Sequence, residues 1–125
     1  MNHLKQITQA KIDVRFYSRA LIKIVFMVTD VFPENDTEGL SPLMRKKALG
    51  ISSFLTHGTV KTDLDEQKQD FLTVMGELRD LLKLATIAQH LKYCSPSHLN
   101  DVRAGISNVI DRLDKLVILI GGFEK

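Results

Sequence analysis

The chain has 125 residues, of which 44% are hydrophobic and 26% are charged, and its formal net charge is +2. This composition excludes a disordered or strongly basic protein, and the length suits one hydrophobic core, so we expect a single domain over residues 1–125. The single Cys94 excludes an internal disulfide. Since we also find no export signal and no apolar run of membrane-spanning length, we expect a cytoplasmic protein without membrane contact.

The first helix is predicted by apolar residues that recur at steps of three and four from Ile7 to Val31. Pro33 should stop it, because proline lacks the amide hydrogen that a continuing helix needs. A second, shorter helix should begin with Ser41 as N-cap and Pro42 as first helical residue, and should stop near Gly58. Its apolar face consists of Met44, Ala48, Ile51 and Leu55.

The second half of the chain predicts two further helices. Asp63 and Glu66 form a capping-box pattern, which should start the longest helix. Ser95 and Pro96 should start the last helix, and Gly121–Gly122 should end it. Four amphipathic helices with short connections predict an all-α, antiparallel up-down four-helix bundle.

The outer side of the first helix carries a row of cations in its N-terminal half. Lys11, Arg15, Arg19 and Lys23 recur every four residues, roughly opposite the apolar face, with only Asp13 as a nearby acid. Residues 1–62 hold nine Lys and Arg against five Asp and Glu, so the basic excess lies in this half of the chain. These four cations form a ridge on the side of the helix that faces away from the core.

The same outer side turns apolar in the C-terminal half of the first helix, at Ile22, Phe26 and Met27. A helix that is apolar on all sides is normally buried on all sides, so another subunit should cover this region. The alternative is that Phe26 packs under the 33–40 loop. We predict an oligomer interface at these three residues.

The second helix adds three consecutive cations, Arg45, Lys46 and Lys47. Gly50 and Ser53 lie on the same stripe as Lys46, and their small side chains would allow close approach by a neighbouring helix or a phosphate backbone. We assign them to the oligomer interface. The alternative is an ordinary solvated helix face.

No catalytic signature is recognisable. A di-metal site in a bundle needs Glu-x-x-His pairs, and the sequence has none. His90, Cys94 and His98 are spaced by four but straddle a predicted turn at Pro96, which argues against a zinc site. We predict no catalytic residues, no metal and no cofactor.

Three segments carry a resemblance to a known family: "FPENDTEGL", "LMRKKALGISSFLTHG" and "LKYCSPSHL". They resemble the four-helix-bundle proteins encoded in intervening sequences of bacterial large-subunit rRNA genes, a family that includes the accessory variability proteins of diversity-generating retroelements. The resemblance runs from Ile12 to Ile120. The matching positions are Phe32, Pro33, Gly39, Leu40, Arg45, Lys46, Ala48, Ile51, Ser53, Leu55 and Gly58.

Some positions depart from that family's pattern. The rRNA-type members usually carry Asn and Glu where Phe54 and His57 stand here, and Ala and Pro in place of Thr56 and Ser52. This departure favours the retroelement branch. The resemblance then implies a homopentameric barrel with a basic surface, which binds RNA or DNA and a partner reverse transcriptase. On this basis we predict that nucleic acid binds to the cations of the first two helices: Lys11, Arg15, Arg19, Lys23, Arg45, Lys46 and Lys47.

Two functional hypotheses follow. The first is a non-enzymatic, oligomeric adaptor that binds the nucleic-acid backbone and docks a reverse transcriptase. The second is a protein–protein scaffold of the rRNA intervening-sequence type, in which the cations pair with carboxylates of neighbouring subunits.

Overall fold

The computed structural model describes the backbone of residues 2–124 and the side chains of residues 2–121. It contains four helices: α1 (Asn2–Thr29), α2 (Leu40–Val60), α3 (Leu64–His90) and α4 (Pro96–Glu124). None of these helices combines the length and the apolarity that crossing a membrane requires.

The four helices form a closed ring of neighbours, in which α1 packs on α2 and α4, and α3 packs on the same two helices. Pairing between α1 and α2 is antiparallel, because Arg45 near the start of α2 meets Asp30 just after α1, whereas Thr59 near the end of α2 meets Arg15. The predicted all-helical four-helix bundle is therefore confirmed.

The core lies along the axis of the bundle and draws on every helix. Its largest fully buried side chains include Leu21, Met44, Phe71, Leu78 and Leu113. Positions three and four residues apart on each helix supply these side chains, as the sequence periodicity predicted.

Two glycines lie where neighbouring helices approach closely. A methyl group on Gly105 of α4 would lie 2.9 Å from Ile24 Cδ1 and 3.0 Å from Leu21 Cδ1 on α1. A methyl group on Gly58 of α2 would lie 3.0 Å from Phe71 Cε1 on α3. Both distances are shorter than ordinary carbon–carbon contacts, so these glycines allow closer helix packing than alanine would.

Two predicted helix starts are confirmed. Asp63 Oδ1 accepts hydrogen bonds from the amides of Asp65 at 2.9 Å and Glu66 at 3.2 Å, which makes Asp63 the N-cap of α3. Ser95 Oγ accepts from the amide of His98 at 3.1 Å, and His98 Nδ1 accepts in return from the Ser95 amide at 3.1 Å. This reciprocal pair at the start of α4 is a capping box with histidine in the usual place of glutamate.

The prediction of Ser41 as N-cap of α2 is wrong. Helix α2 begins at Leu40 after Gly39, which has a φ of 67°. Asp36 Oδ1 and Oδ2 accept from the amides of Leu40 at 3.0 Å and Ser41 at 2.8 Å. A carboxylate from the preceding loop thus satisfies the first amides, and Ser41 is already inside the helix.

The predicted ends of α1 and α4 also differ from the structure. Helix α1 ends at Thr29, and Val31, which was assigned to the apolar face, is 50% exposed. Helix α4 continues through Gly121 and Gly122 to Glu124, so α4 and not α3 is the longest helix. Glycine lowers helix stability only modestly, which is why a Gly–Gly pair without a left-handed residue does not end a helix by itself.

Candidate nucleic-acid interface

The row of cations on α1 lies on one side of the bundle; we call it the α1 ridge and define it as Lys11, Arg15, Arg19 and Lys23. Arg19 and Lys23 are exposed, while the other two are half-buried. Within the part of the chain that the structure describes, no ridge residue forms an ion pair with a carboxylate. The nearby acid Asp13 instead accepts a hydrogen bond from Gln9 Nε2 at 2.8 Å.

In the N-terminal half of the α1 ridge, the surroundings of Lys11 disfavour its charged form. Partial burial lowers the pKa of the Lys11 ammonium, and the neighbouring Arg15 guanidinium lowers it further. Arg15 is held in place because its Nη1 donates to Thr59 Oγ1 on α2 at 2.9 Å. Two cations therefore lie close together and, among residues 2–121, neither is paired with a carboxylate, an arrangement that an external anion would relieve.

Arg45, the first predicted cation of α2, is engaged within the chain. Its Nε donates to Thr29 Oγ1 at 2.7 Å, and its Nη2 lies 2.8 Å from Asp30 Oδ1. The guanidinium carbon lies 4.7 Å from the centre of the Phe26 ring, a cation–π geometry. This arrangement links α2 to the end of α1 and leaves Arg45 with few donors for an external phosphate.

Lys46 and Lys47 differ from each other. Lys47 Nζ lies 2.7 Å from Glu77 Oε2 and 3.7 Å from Asp80 Oδ2, so it joins α2 to α3. The hydrogen bond to Glu77 raises the pKa of Lys47, and the charges of both acids act in the same direction. Lys46 is exposed. Of the three consecutive cations, Lys46 is the one left to solvent.

The five predicted interface residues fall into two groups. Ile22 is half-buried and packs against the core, and Phe26 is half-buried with the Arg45 guanidinium over its ring. The chain itself thus covers part of the apolar side of α1, through Arg45. Met27 is 69% exposed. Gly50 and Ser53 have small side chains on α2, and the space next to Gly50 is open, since a methyl group there would meet nothing within 4 Å.

Sequence reasoning missed the position of Phe16. Its ring is 58% exposed and meets the ring of Tyr17 edge-on, with centroids 5.2 Å apart and planes at 84°. Tyr17 in turn lies against α4, because the Arg112 guanidinium stacks 4.4 Å above its ring and donates to its hydroxyl at 3.2 Å. Phe16 precedes Arg19 by three residues and Lys23 by seven, a spacing that places all three on one side of the helix. This spacing was the sequence signal for an exposed Phe16.

A second basic surface, on α3, was also missed. Arg79, Lys83 and His90 line an open groove of about 600 Å³, whose floor is apolar and includes Leu82 and Ile87. Lys83 lies four residues after Arg79 and His90 lies seven residues after Lys83, which places the three side chains along one side of the helix.

In the α3–α4 connection, His98 serves local structure and Cys94 packs against the core. His98 belongs to the capping box with Ser95. Burial raises the pKa of the Cys94 thiol, which lowers its reactivity at neutral pH. Among the described residues, no three His, Cys, Asp or Glu side chains are grouped so that they could hold a metal ion.

Neither the protein-family models nor the curated proteins with which the sequence was compared give a match.

Proposed function

We propose that the protein is a non-enzymatic, oligomeric adaptor that binds the sugar–phosphate backbone of RNA or DNA through the α1 ridge. The observation that carries this proposal is the contrast between two sets of cations. Arg45, Lys47 and Lys61 each have a carboxylate within 2.8 Å, whereas the four ridge residues have none in the described part of the chain.

Unpaired cations are common on protein surfaces, but the α1 ridge is more than a solvated face. Partial burial disfavours the charged form of Lys11, and repulsion by Arg15 adds to this cost. Such an arrangement lowers stability without a ligand and becomes favourable when a polyanion supplies the missing negative charge. Binding of this kind should weaken steeply with salt, because each phosphate contact releases a counterion.

Assembly belongs to the same proposal. The resemblance to the rRNA intervening-sequence and retroelement accessory proteins supports a homopentamer, a docked reverse transcriptase and a cytoplasmic setting. Exposed Met27 and the uncrowded backbone at Gly50 offer a surface for a second subunit. Several copies of a weak ridge in one ring would bind a long polyanion far more tightly than one copy.

Charge reversal tests the polyanion proposal. We expect Lys11→Glu/Arg19→Glu/Lys23→Glu to abolish retention on heparin and on RNA while the assembly stays intact. Arg15 is left unchanged because it bonds the buried Thr59. The charge-matched control, Arg79→Glu/Lys83→Glu/Arg103→Glu, should retain most of the binding. Equal loss in both variants would refute a specific role for the α1 ridge.

Glycine substitution tests the assembly. Alanine at Gly50 meets no atom within 4 Å, and the same holds for the control position Gly76 on α3. Within one chain both changes should therefore be tolerated. If a neighbouring subunit packs on Gly50, Gly50→Ala should shift sedimentation velocity toward smaller species while Gly76→Ala does not. A monomeric wild-type protein at micromolar concentration would refute the assembly.

The intrachain ion pairs favour one alternative function, a protein–protein scaffold. Lys47 and Lys61 show that this fold uses lysines to join helices through carboxylates. The α1 ridge could do the same with the acids of a neighbouring subunit. The triple reversal separates the two functions, because in a scaffold it breaks the assembly, and in the adaptor it abolishes polyanion binding alone.

A further inference from the structure

We infer that Phe16, together with Arg19 and Lys23, forms a base-stacking site, so that the preferred ligand is single-stranded nucleic acid. This inference rests on the proposed function and narrows its ligand from any polyanion to an unpaired strand. Tyr17 lies on the apolar face of α1 and packs against the core. The structure places Phe16 outside that face, at 58% exposure.

The Phe16 ring is supported by Tyr17. Tyr17 meets it edge-on with a centroid separation of 5.2 Å, and Arg112 of α4 holds Tyr17 by a stack and a hydrogen bond. The Phe16 ring is therefore connected to both α1 and α4, although it is largely exposed to solvent. An anchored ring loses little conformational freedom when a flat ligand stacks on it.

Cations stand next to the ring on the same helix face. Phe16, Arg19, Ala20 and Lys23 line a shallow depression of about 260 Å³. Arg19 lies about 4.5 Å and Lys23 about 10.5 Å further along the helix axis than Phe16. The small side chain of Ala20 leaves the space between them open. A nucleotide base on the ring would thus have cations within reach of its own and the following phosphate.

This combination selects single strands. In a duplex the base faces are covered by neighbouring base pairs, and only phosphates and groove edges are accessible. In a single strand each base can leave the stack and present its face to an aromatic side chain. A purely electrostatic ridge would bind duplex and single strand alike, so the exposed ring is what distinguishes the two ligands.

Affinity measurements with four ligands and two variants test the site. We expect Phe16→Ala to weaken binding of fluorescein-labelled oligo-dT and oligo-U by about 5- to 150-fold, the range that loss of one stacked base causes in other proteins. The same variant should leave binding of an abasic oligonucleotide and of a duplex unchanged. The control is Ile12→Ala, since Ile12 is also an exposed apolar residue of α1, one turn before Phe16.

The absence of tryptophan from the chain allows a direct probe. Phe16→Trp introduces a single indole whose fluorescence should be quenched by oligo-dT but not by the abasic strand. This variant should also retain the wild-type affinity for oligo-dT, because a base stacks on an indole ring at least as strongly as on a phenyl ring.

The outcomes separate this inference from the proposed function. If the wild-type protein binds none of the four ligands, both fail. If it binds all four and Phe16→Ala changes no affinity, the stacking site alone is refuted. A change in sedimentation of Phe16→Ala without ligand would also refute it, because the ring would then be a contact between copies of the chain.

Discussion

Crowding at Gly58 allows a quantitative test of the packing between α2 and α3. In Gly58→Ala the new methyl carbon would lie 3.0 Å from Phe71 Cε1, 3.2 Å from Asp70 Cβ and 3.4 Å from Asp70 Oδ2. Neither Phe71 nor the Asp70 Cβ can move away cheaply, since Phe71 is fully buried and a Cβ follows the backbone.

Two effects of opposite sign determine how much Gly58→Ala changes the free energy of unfolding. Overpacking of a well-filled core costs about 1–3 kcal/mol. Replacing a helical glycine by alanine contributes about 0.5–1 kcal/mol in the stabilising direction. We therefore expect Gly58→Ala to lower the free energy of unfolding by about 1 kcal/mol, since the close contacts outweigh the gain in helix propensity. The control, Gly76→Ala, has no neighbour within 4 Å and should raise it by about 0.5–1 kcal/mol.

Urea unfolding followed by circular dichroism, at one protein concentration for all variants, measures both values. Adding Phe71→Leu to Gly58→Ala should remove the closest contact, so the double variant should be more stable than the sum of the single changes predicts. If Gly58→Ala proves as stable as Gly76→Ala, then the helices do not approach as closely as described and the reasoning is refuted.

Two further predictions concern charge and backbone conformation. Lys11→Met should raise the free energy of unfolding at pH 7 while weakening polyanion binding, because the folded state lowers the pKa of Lys11 below 10.5. In the wild-type protein the charge on Lys11 destabilises the folded state fully below the folded pKa, and this cost is relieved as the pH rises toward 10.5. The difference in urea midpoint between Lys11→Met and the wild-type protein should therefore shrink at pH 10. A difference that stays constant with pH would contradict this prediction. Lys92→Gly should stabilise the protein by about 1 kcal/mol, because Lys92 has a φ of 62° at the end of α3, a conformation that favours glycine. Thermal unfolding measures that change, and a lower midpoint would contradict the assignment of strain.

The fold could be predicted from the sequence because helix periodicity and local capping are short-range properties. The N-caps Asp63 and Ser95 were found in this way, since each bonds amides within three residues. The cap of α2 was missed because its acceptor, Asp36, lies in the loop, five residues before the Ser41 amide that it binds. No sequence rule for N-caps places the acceptor so far from the helix start.

Side-chain partners across the bundle could not be read from the sequence. On a helical wheel Arg45, Lys46 and Lys47 are simply three neighbouring cations. Whether a cation meets an acid depends on the rotation and offset of the next helix, which periodicity does not specify. The same limit explains why Phe16, one residue before a half-buried tyrosine, was not recognised as exposed.

The hydrogen bonds of Arg45 with Thr29 and Asp30 affect the role of the segment between α1 and α2. Because Arg45 already joins the two helices at this end, Phe32 packs against the core and Asp36 sets the start of α2, residues 33–35 need not hold the hairpin together. Lengthening a loop whose ends are held in this way costs little free energy. This stretch is therefore the natural point of insertion for a tag or a reporter domain.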